Sequence, residues 1–586
     1  MKKKISLISV VLYMAMLLVT VAKLDVISKM YDLSQMPDLT FYFGVGLQPG
    51  FVLPIVGSIL TQFCHFPVLG AVLVVLSMAL LTLVSKKVFS DKVSAYLPAV
   101  FMFSFLMGID YSLYTMRAQG ILFSQTLGLT LAILAYGAWN KSKTHTPAFP
   151  VLMLLIGYPL IGVYAVLAAL AIFLASLLDR RDPLSVPIVS LAASFAIPWL
   201  YTHFVFTHID TRYTFFAAAP YMDFVKNGLK FIPLGLAGLS VVFLAITPGL
   251  KFREHFFTGL VSTLAMLAVI ASFTYKDRNF HVELAMEQAI EKNEWTKALK
   301  YARKSEAPTR VIVMYRNIAL MNTGQLCDRM FTYPNSGPRI NTTAQISQTE
   351  VCAPVVFFYN GLINYSTRWA WEMSMMFQRT VERYKYQAKV ALFTGKENPE
   401  LIEKYLDIID TNWFEGKWVK KYRGYLHDPE ALRNDPEYQM FLALDQYEEI
   451  KFMSSAVAED TLLKHYTSQP DPQGVMLDQA LAASMTMRNT DAFWYYFAQL
   501  RESGRSLPTH VAEAAILFAY LERDQRLIDS VANVIGVESP VVRGFQAFSG
   551  EASAIRDAAA AKETFKKKYG HTYWYYCYFT EELLTD

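Results

Sequence analysis

A break near residue 276 constrains this chain more than any other feature, because it separates two stretches suited to different solvents. Before it lie apolar runs at Ile5–Ala22, Val68–Val84, Tyr96–Met107, Ile121–Ala138, Val151–Leu178, Val186–Val205, Phe231–Ile246 and Phe256–Phe273, each closed by a short polar or basic clip. After it, from Lys276 to Asp586, no comparable run occurs and charged residues are interspersed throughout. Residues 1–278 hold 20 Lys+Arg and 11 Asp+Glu, a net +9; the other 308 hold 34 and 39, a net −5, and the two sum to the whole chain's +4. A membrane-crossing helix needs about 20 predominantly apolar residues. Residues 1–275 therefore read as a polytopic transmembrane domain and residues 276–586 as a soluble one.

Basic residues collect in cytoplasmic loops. The clips are Met1–Lys4, Lys86 with Lys87, Lys141 with Lys143, Arg180 with Arg181, and Lys251 with Arg253. With all five inside, the first helix runs outward, residues 23–66 form a long external first loop, and the second half is exported. Phe51–Phe63 is short and carries Pro54, so it reads as a helix lying on the membrane surface. Val151–Leu178 must then cross twice, as two short helices broken at Gly157-Tyr-Pro159; the alternative makes it one long span and Phe51–Phe63 another. The expected location is a bacterial inner membrane, with the C-terminal domain in the periplasm. Met1-Lys-Lys-Lys4 and the run behind it resemble a signal peptide, but Ala22-Lys-Leu-Asp25 is a poor cleavage site, so the segment is expected to stay as an anchor.

The second half is helical in pattern, which makes the whole chain all-α. Apolar spacing predicts helices over His281–Ile290 and from Trp295 through Ala302, then Val311–Met321 before the turn Asn322-Thr-Gly324. Further pairs fall at Arg379–Leu392 with Pro399–Ile409, and at Leu477–Met487 with Asp491–Arg501 and His510–Leu521. Helix–turn–helix units with aromatic starters resemble tetratricopeptide repeats, without a clean period, and imply an irregular α-solenoid. Such a surface either binds a polypeptide or packs on the membrane half. Pro334–Glu350 reads as an inserted loop, and Cys327 and Cys352 on its two sides are placed to close it with a disulfide. The aromatic tail His571–Phe579 fits core packing of a terminal helix, an interfacial belt or a sugar-stacking platform.

Chemistry-bearing residues gather at the external loops. Asp25 and Asp32 follow the first helix, with Lys23 and Lys29; Asp110, Tyr114 and Arg117 follow the third span; Arg212, Tyr213 and Lys226 lie in a later loop beside Asp210 and Asp223. Group transfer from a polyprenyl phosphate needs this mixture. A carboxylate serves as general base or holds a divalent cation, while Arg and Lys neutralise the departing phosphate. Asp110, Asp25 and Asp32 are the candidate catalytic residues, with Asp25 and Asp110 the candidate metal ligands. Arg117, Arg212, Tyr213, Tyr114 and Lys226 are candidates for binding substrate. Zinc-ligand spacing, Gly-x-x-x-x-Gly-Lys and Gly-x-Ser-x-Gly are all missing, which argues against an ATP-driven pump and familiar serine hydrolases. The span centres carry essentially no ionisable groups, which argues against an ion-coupled transporter.

This loop layout resembles the GT-C superfamily of membrane glycosyltransferases over residues 1–275. Asp25 or Asp32 matches that superfamily's first acidic position and Asp110 its second, by loop position alone. The resemblance implies a polyprenyl-linked sugar donor, an acceptor at the outer face of the inner membrane, and no nucleic acid. The Asp-x-Asp and Glu-Asp doublets common there are absent, which leaves metal dependence open. Over its whole length the chain also resembles a family of bacterial membrane proteins with this two-part layout, marked by Asn317-Ile-Ala-Leu320, Thr323-Gly-Gln-Leu326 and Met330-Phe331; that likeness implies no particular activity. The other class is a membrane-anchored α-solenoid scaffold for cell-envelope assembly.

Overall fold

The computed structural model describes residues 7–580 apart from 37–47, 90–92, 115, 118–119, 143, 180–181, 223–227, 248–255, 336–347, 378, 396–397, 446, 448, 451–457, 472 and 555–557. The chain divides into two compact units. The first comprises Met1–Lys276 together with Met373–Tyr384 and Asp407–Lys420; the second comprises Asp277–Glu372, Lys385–Leu406 and Lys421–Asp586. Two short segments of the charged half thus belong to the first unit, which the composition break did not signal. Both units are helical. Among the described residues the one departure is a two-residue antiparallel pairing, Met116 opposite Met222 and Arg117 opposite Tyr221.

The helices of the first unit are α1 (Leu7–Val21), α2 (Leu24–Asp32), α3 (Val52–Gln62), α4 (Pro67–Phe89), α5 (Leu97–Met107), α6 (Ile121–Asn140), α7 (Ala148–Ile161), α8 (Val163–Leu178), α9 (Ser185–Phe204), α10 (Ile232–Ile246) and α11 (Phe256–Phe273). Four of them are long and apolar enough to cross a membrane: α4, α6, α9 and the stretch Leu229–Ile246 that contains α10. Two bent pairs raise the number to six, one of them α1 with α2, which meet at 64°. Exposed Val68, Leu76, Leu80 and Leu83 give α4 an apolar outer stripe. In water such a stripe would carry a large hydration cost; in lipid it has none.

The run Val151–Leu178 does form two short helices, α7 of 14 residues and α8 of 16. The break falls at Gly162, while Pro159 stays inside α7. Gly162 sits at φ 59°, and a Cβ there would lie 2.3 Å from the carbonyl oxygen of Ala217, which also accepts the Val163 amide at 2.8 Å. Only glycine fits a left-handed turn pressed against a neighbouring backbone. Helix α3, extended by a 3₁₀ turn to His65, is too short to span and packs on α6. The approach is close because Gly57 meets Gly120: a Cβ on Gly57 would fall 2.6 Å from the Gly120 carbonyl oxygen.

In the second unit, consecutive helices pack in pairs: Arg278–Glu291 on Trp295–Ala302, then on Arg310–Asn322, and later Leu477–Met487 on Thr490–Glu502. Side-chain caps set several starts. Thr309 accepts from the Ile312 amide, Asn489 from Ala492 and Asp524 from Arg526. Most of the expected insertion, 336–347, lies outside the described residues.

The expected Cys327–Cys352 disulfide is not formed. Neither sulfur is in a disulfide and both cysteines are buried, with Cys327 donating to the Asp478 carbonyl at 3.3 Å and Cys352 lying within electrostatic reach of Glu283, Glu287 and Arg310. Each cysteine sits on its own helix and packs into different surroundings, so nearness in sequence did not make them neighbours.

The aromatic tail is core. Tyr573 donates to the Met485 carbonyl and Tyr576 to that of Thr486, while the Trp574 indole N–H reaches the Glu513 carbonyl at 2.9 Å. Phe331 packs against the rings of Tyr573 and Tyr576.

Candidate functional site

Several charged residues of the first unit, Lys23, Asp25 and Asp110 among them, meet at the break between α1 and α2. The apolar run ends at Lys23, which is buried and donates to the Met107 carbonyl at 3.0 Å, at the last residue of α5. That same carbonyl accepts the Tyr275 amide, and Gly108 leaves room for the end of α11: a Cβ there would lie 2.9 Å from the Phe273 carbonyl oxygen. The Lys23 ammonium lies within electrostatic reach of both Asp25, in the first turn of α2, and Asp110.

Asp110 is 2% exposed and does two jobs. One carboxylate oxygen accepts the Ser112 amide at 2.9 Å and caps the 3₁₀ turn Tyr111–Tyr114; the other pairs with the Lys230 ammonium at 2.5 Å. Lys230 is positioned by the turn Gly228–Phe231, whose Phe231 ring stacks on Phe105 of α5. A carboxylate this buried needs such partners, since an uncompensated charge there is costly.

Segments from far along the chain complete the site. Lys29 pairs with Glu382 at 2.6 Å and lies 5.3 Å from the centre of the Tyr114 ring. Arg383 is buried and spans from the Met373 carbonyl, at 2.8 Å, to that of Tyr114, at 3.2 Å; burial lowers its guanidinium to about 10, so it stays charged at neutral pH. Tyr31 donates to Glu415 at 2.9 Å, and the side-chain oxygen of Asn412 accepts from Gln62 and from the Met36 amide. The amide of Val381 reaches the Ser34 carbonyl.

The expected residues divide accordingly. Asp25, Asp110 and Tyr114 fall within this arrangement, and Asp32 ends the same helix as Asp25, half-buried. Arg117 is described by its backbone, which pairs with Tyr221. Arg212 is 82% exposed and forked onto Asp210, at 2.6 and 2.8 Å, two residues away; the same Asp210 caps the turn Thr211–Phe216. The hydrogen bonds from Arg212 hold the Asp210 carboxyl below its usual range. Tyr213 is half-buried in that turn, and Lys226 and Asp223 lie outside the described residues. Among the described residues no three His, Cys, Asp or Glu side chains come together as a metal site.

Sequence reasoning passed over Lys230, Gln62, Glu382, Arg383, Asn412 and Glu415. Lys230 carried a usable signal, a cation directly before an apolar run. Glu382 and Glu415 carried none, because they lie in a half where charge is common.

The cluster is a desolvated set of paired opposite charges at the ends of apolar helices. Chemically, its cations can compensate a phosphate, and the carboxylate released from such a pairing can accept a proton. No curated protein and no solved structure matches the chain. A family model does match, over residues 35–580: the chain belongs to the family of unknown function DUF6057.

Proposed function

We propose that the first unit is a membrane glycosyltransferase of the GT-C kind, moving a sugar from a polyprenyl-phosphate donor to an acceptor at the outer face of a bacterial inner membrane. The observation that carries this reading is the meeting of Asp25, from the first turn of α2, and Asp110, from the segment after α5, around the Lys23 ammonium, with Lys230 held on Asp110. A donor phosphate entering from the bilayer would compete for Lys230 and Lys23. Drawing Lys230 away frees the Asp110 carboxylate to take the acceptor hydroxyl's proton, while the lysines balance the charge that grows on the leaving phosphate. The second unit, an irregular α-solenoid in this reading, would lie in the periplasm and hold a polypeptide, with nucleic acid playing no part. Asp25 and Asp110 are the residues that would hold a divalent cation if one is used.

The test is glycoconjugate formation in membranes of a deletion strain complemented with variants. Asp110→Asn keeps shape and removes charge, so transfer should fall by about two orders of magnitude, the scale of general-base loss, with protein levels unchanged. Full complementation by both Asp110→Asn and Asp25→Asn at normal expression overturns the transferase.

A second reading, a membrane-anchored scaffold for envelope assembly, is favoured by one observation. The ion pair of Lys29 and the hydrogen bond of Tyr31 both hold segments of the later half within the first unit.

A further inference from the structure

The segment Asp407–Lys420 ends one helix and begins the next, in a half of the chain that composition marks as water-facing, yet it belongs to the first unit. Its inward contacts include Glu415 on Tyr31, Asn412 on Gln62 and on the Met36 amide, and the Phe414 ring stacked on His65 at 5.0 Å. With those groups turned inward, the segment leaves Trp413 52% exposed, its ring edge-on to Phe63 at 5.6 Å. Phe414 also meets Phe66, itself 51% exposed, at 5.1 Å.

Phe66 directly precedes α4, whose exposed Val68, Leu69, Val72 and Leu76 form an outward apolar stripe on one of the four span-length helices. Trp413, Phe63 and Phe66 therefore continue that stripe past the end of the span. Lys417 and Lys420 lie exposed on the same segment. An amphipathic ring at a span's end, with lysines beside it, is the chemistry of the bilayer's headgroup boundary. Trp413 meets Phe63, Phe63 meets Phe414 and Phe414 meets Phe66, so the exposed rings belong to one aromatic cluster rather than being scattered singly over the surface.

We infer that Asp407–Lys420 is a membrane-interface anchor: Trp413, with Phe66, inserts at the headgroup boundary beside the start of α4, and Lys417 and Lys420 face lipid phosphates. The occupant of this surface is the phospholipid bilayer. The inference stands apart from the transferase reading, because it depends on the span and the ring contacts alone.

The experiment uses the full chain in liposomes of mixed zwitterionic and anionic phospholipid. Cys577→Ser removes the one thiol that is not buried, and nitroxides are placed at Trp413→Cys, Lys417→Cys and, as an aqueous reference, Arg526→Cys. The label at 413 should collide preferentially with oxygen and that at 526 with a water-soluble nickel chelate, with 417 between them. A label at 413 as open to the chelate as the one at 526 overturns the anchor, and so does one shielded from both reagents, which marks a protein interface instead. Should Trp413→Cys fail to fold, Trp413→Phe serves: it should remove part of the tryptophan emission that brominated lipids quench. An unchanged quenched fraction refutes the inference.

Discussion

Charge is buried in both units, but it is arranged differently in each. In the first, most buried charges collect where α1 meets α2 and join residues far apart in sequence, 353 positions for Lys29 and Glu382 and 384 for Tyr31 and Glu415. In the second they are spread through the helix packing. Glu437 accepts from Tyr359, Tyr422 and Lys389 at 3.1, 3.2 and 2.8 Å; Glu287 accepts from Tyr315; Arg310 pairs with Glu459. Burial lowers the guanidinium of Arg310 to about 10 and that of Arg316 to about 9. A charge buried among apolar helices is exceptional and asks for a role. The same charge in a mixed-composition helical unit is ordinary mortar between helices, each partner satisfying the next.

The comparison breaks first at Lys29. Lys29→Met leaves the half-buried Glu382 without its ion-pair partner, with Arg383 still in electrostatic reach, and should cost about 3–4 kcal/mol of stability, while Lys29→Met with Glu382→Leu should recover most of it. Denaturant unfolding of the purified protein in detergent measures both. If the single change costs no more than a surface substitution, the long-range pair is not holding the first unit together.

A smaller effect sharpens the second unit's side. His465 is 1% exposed, its Nδ1 has no hydrogen-bond partner among the described residues, and burial pushes its imidazole down to about 4 from 6.5. The unfolded chain therefore binds the proton first as pH falls. The contribution of neutral His465 is whole above pH 6.5, drains away between 6.5 and about 4, and is gone below that, a loss of about 3 kcal/mol. His465→Phe should flatten this part of the acid limb relative to wild type; identical limbs would mean that water reaches the ring.

The smallest effect belongs to the exposed pair of Asp210 and Arg212. Arg212→Ala should leave the denaturation midpoint unchanged within error, because exposed ion pairs contribute little and salt screens them. A measurable loss, insensitive to salt, would show that this loop is buried by something in the membrane.

Legibility followed distance along the chain. Asp110 could be singled out because its neighbours Ile109 and Leu113 are apolar and Tyr111 and Tyr114 aromatic, and the structure buries it. Arg212 looked equally promising by residue type, yet its partner is two positions away and both are in solvent. Nothing around Thr380 or Asn412 distinguished those segments from the rest of the charged half. Cys327 and Cys352 misled for the same reason: nearness in sequence was taken for nearness in space.

By itself the sequence determined the all-helical character, the apolar runs of the first half, the division of Val151–Leu178 into two helices and several helices of the later half; of the eight runs read as crossing, the structure makes four to six helices long enough to do so, and Leu97–Met107, Ala148–Ile161 and Val163–Leu178 fall short. Length of apolar run and periodicity are local properties, and local backbone physics is enough to read them. Only the tertiary structure decided that Gly162 rather than Pro159 breaks that run, that Lys230 closes on Asp110, and that Met373–Tyr384 and Asp407–Lys420 join the first unit. Each of those outcomes depends on which surfaces the closed chain brings together. Burial sets whether a charge needs a partner, and chain closure sets which partner it meets.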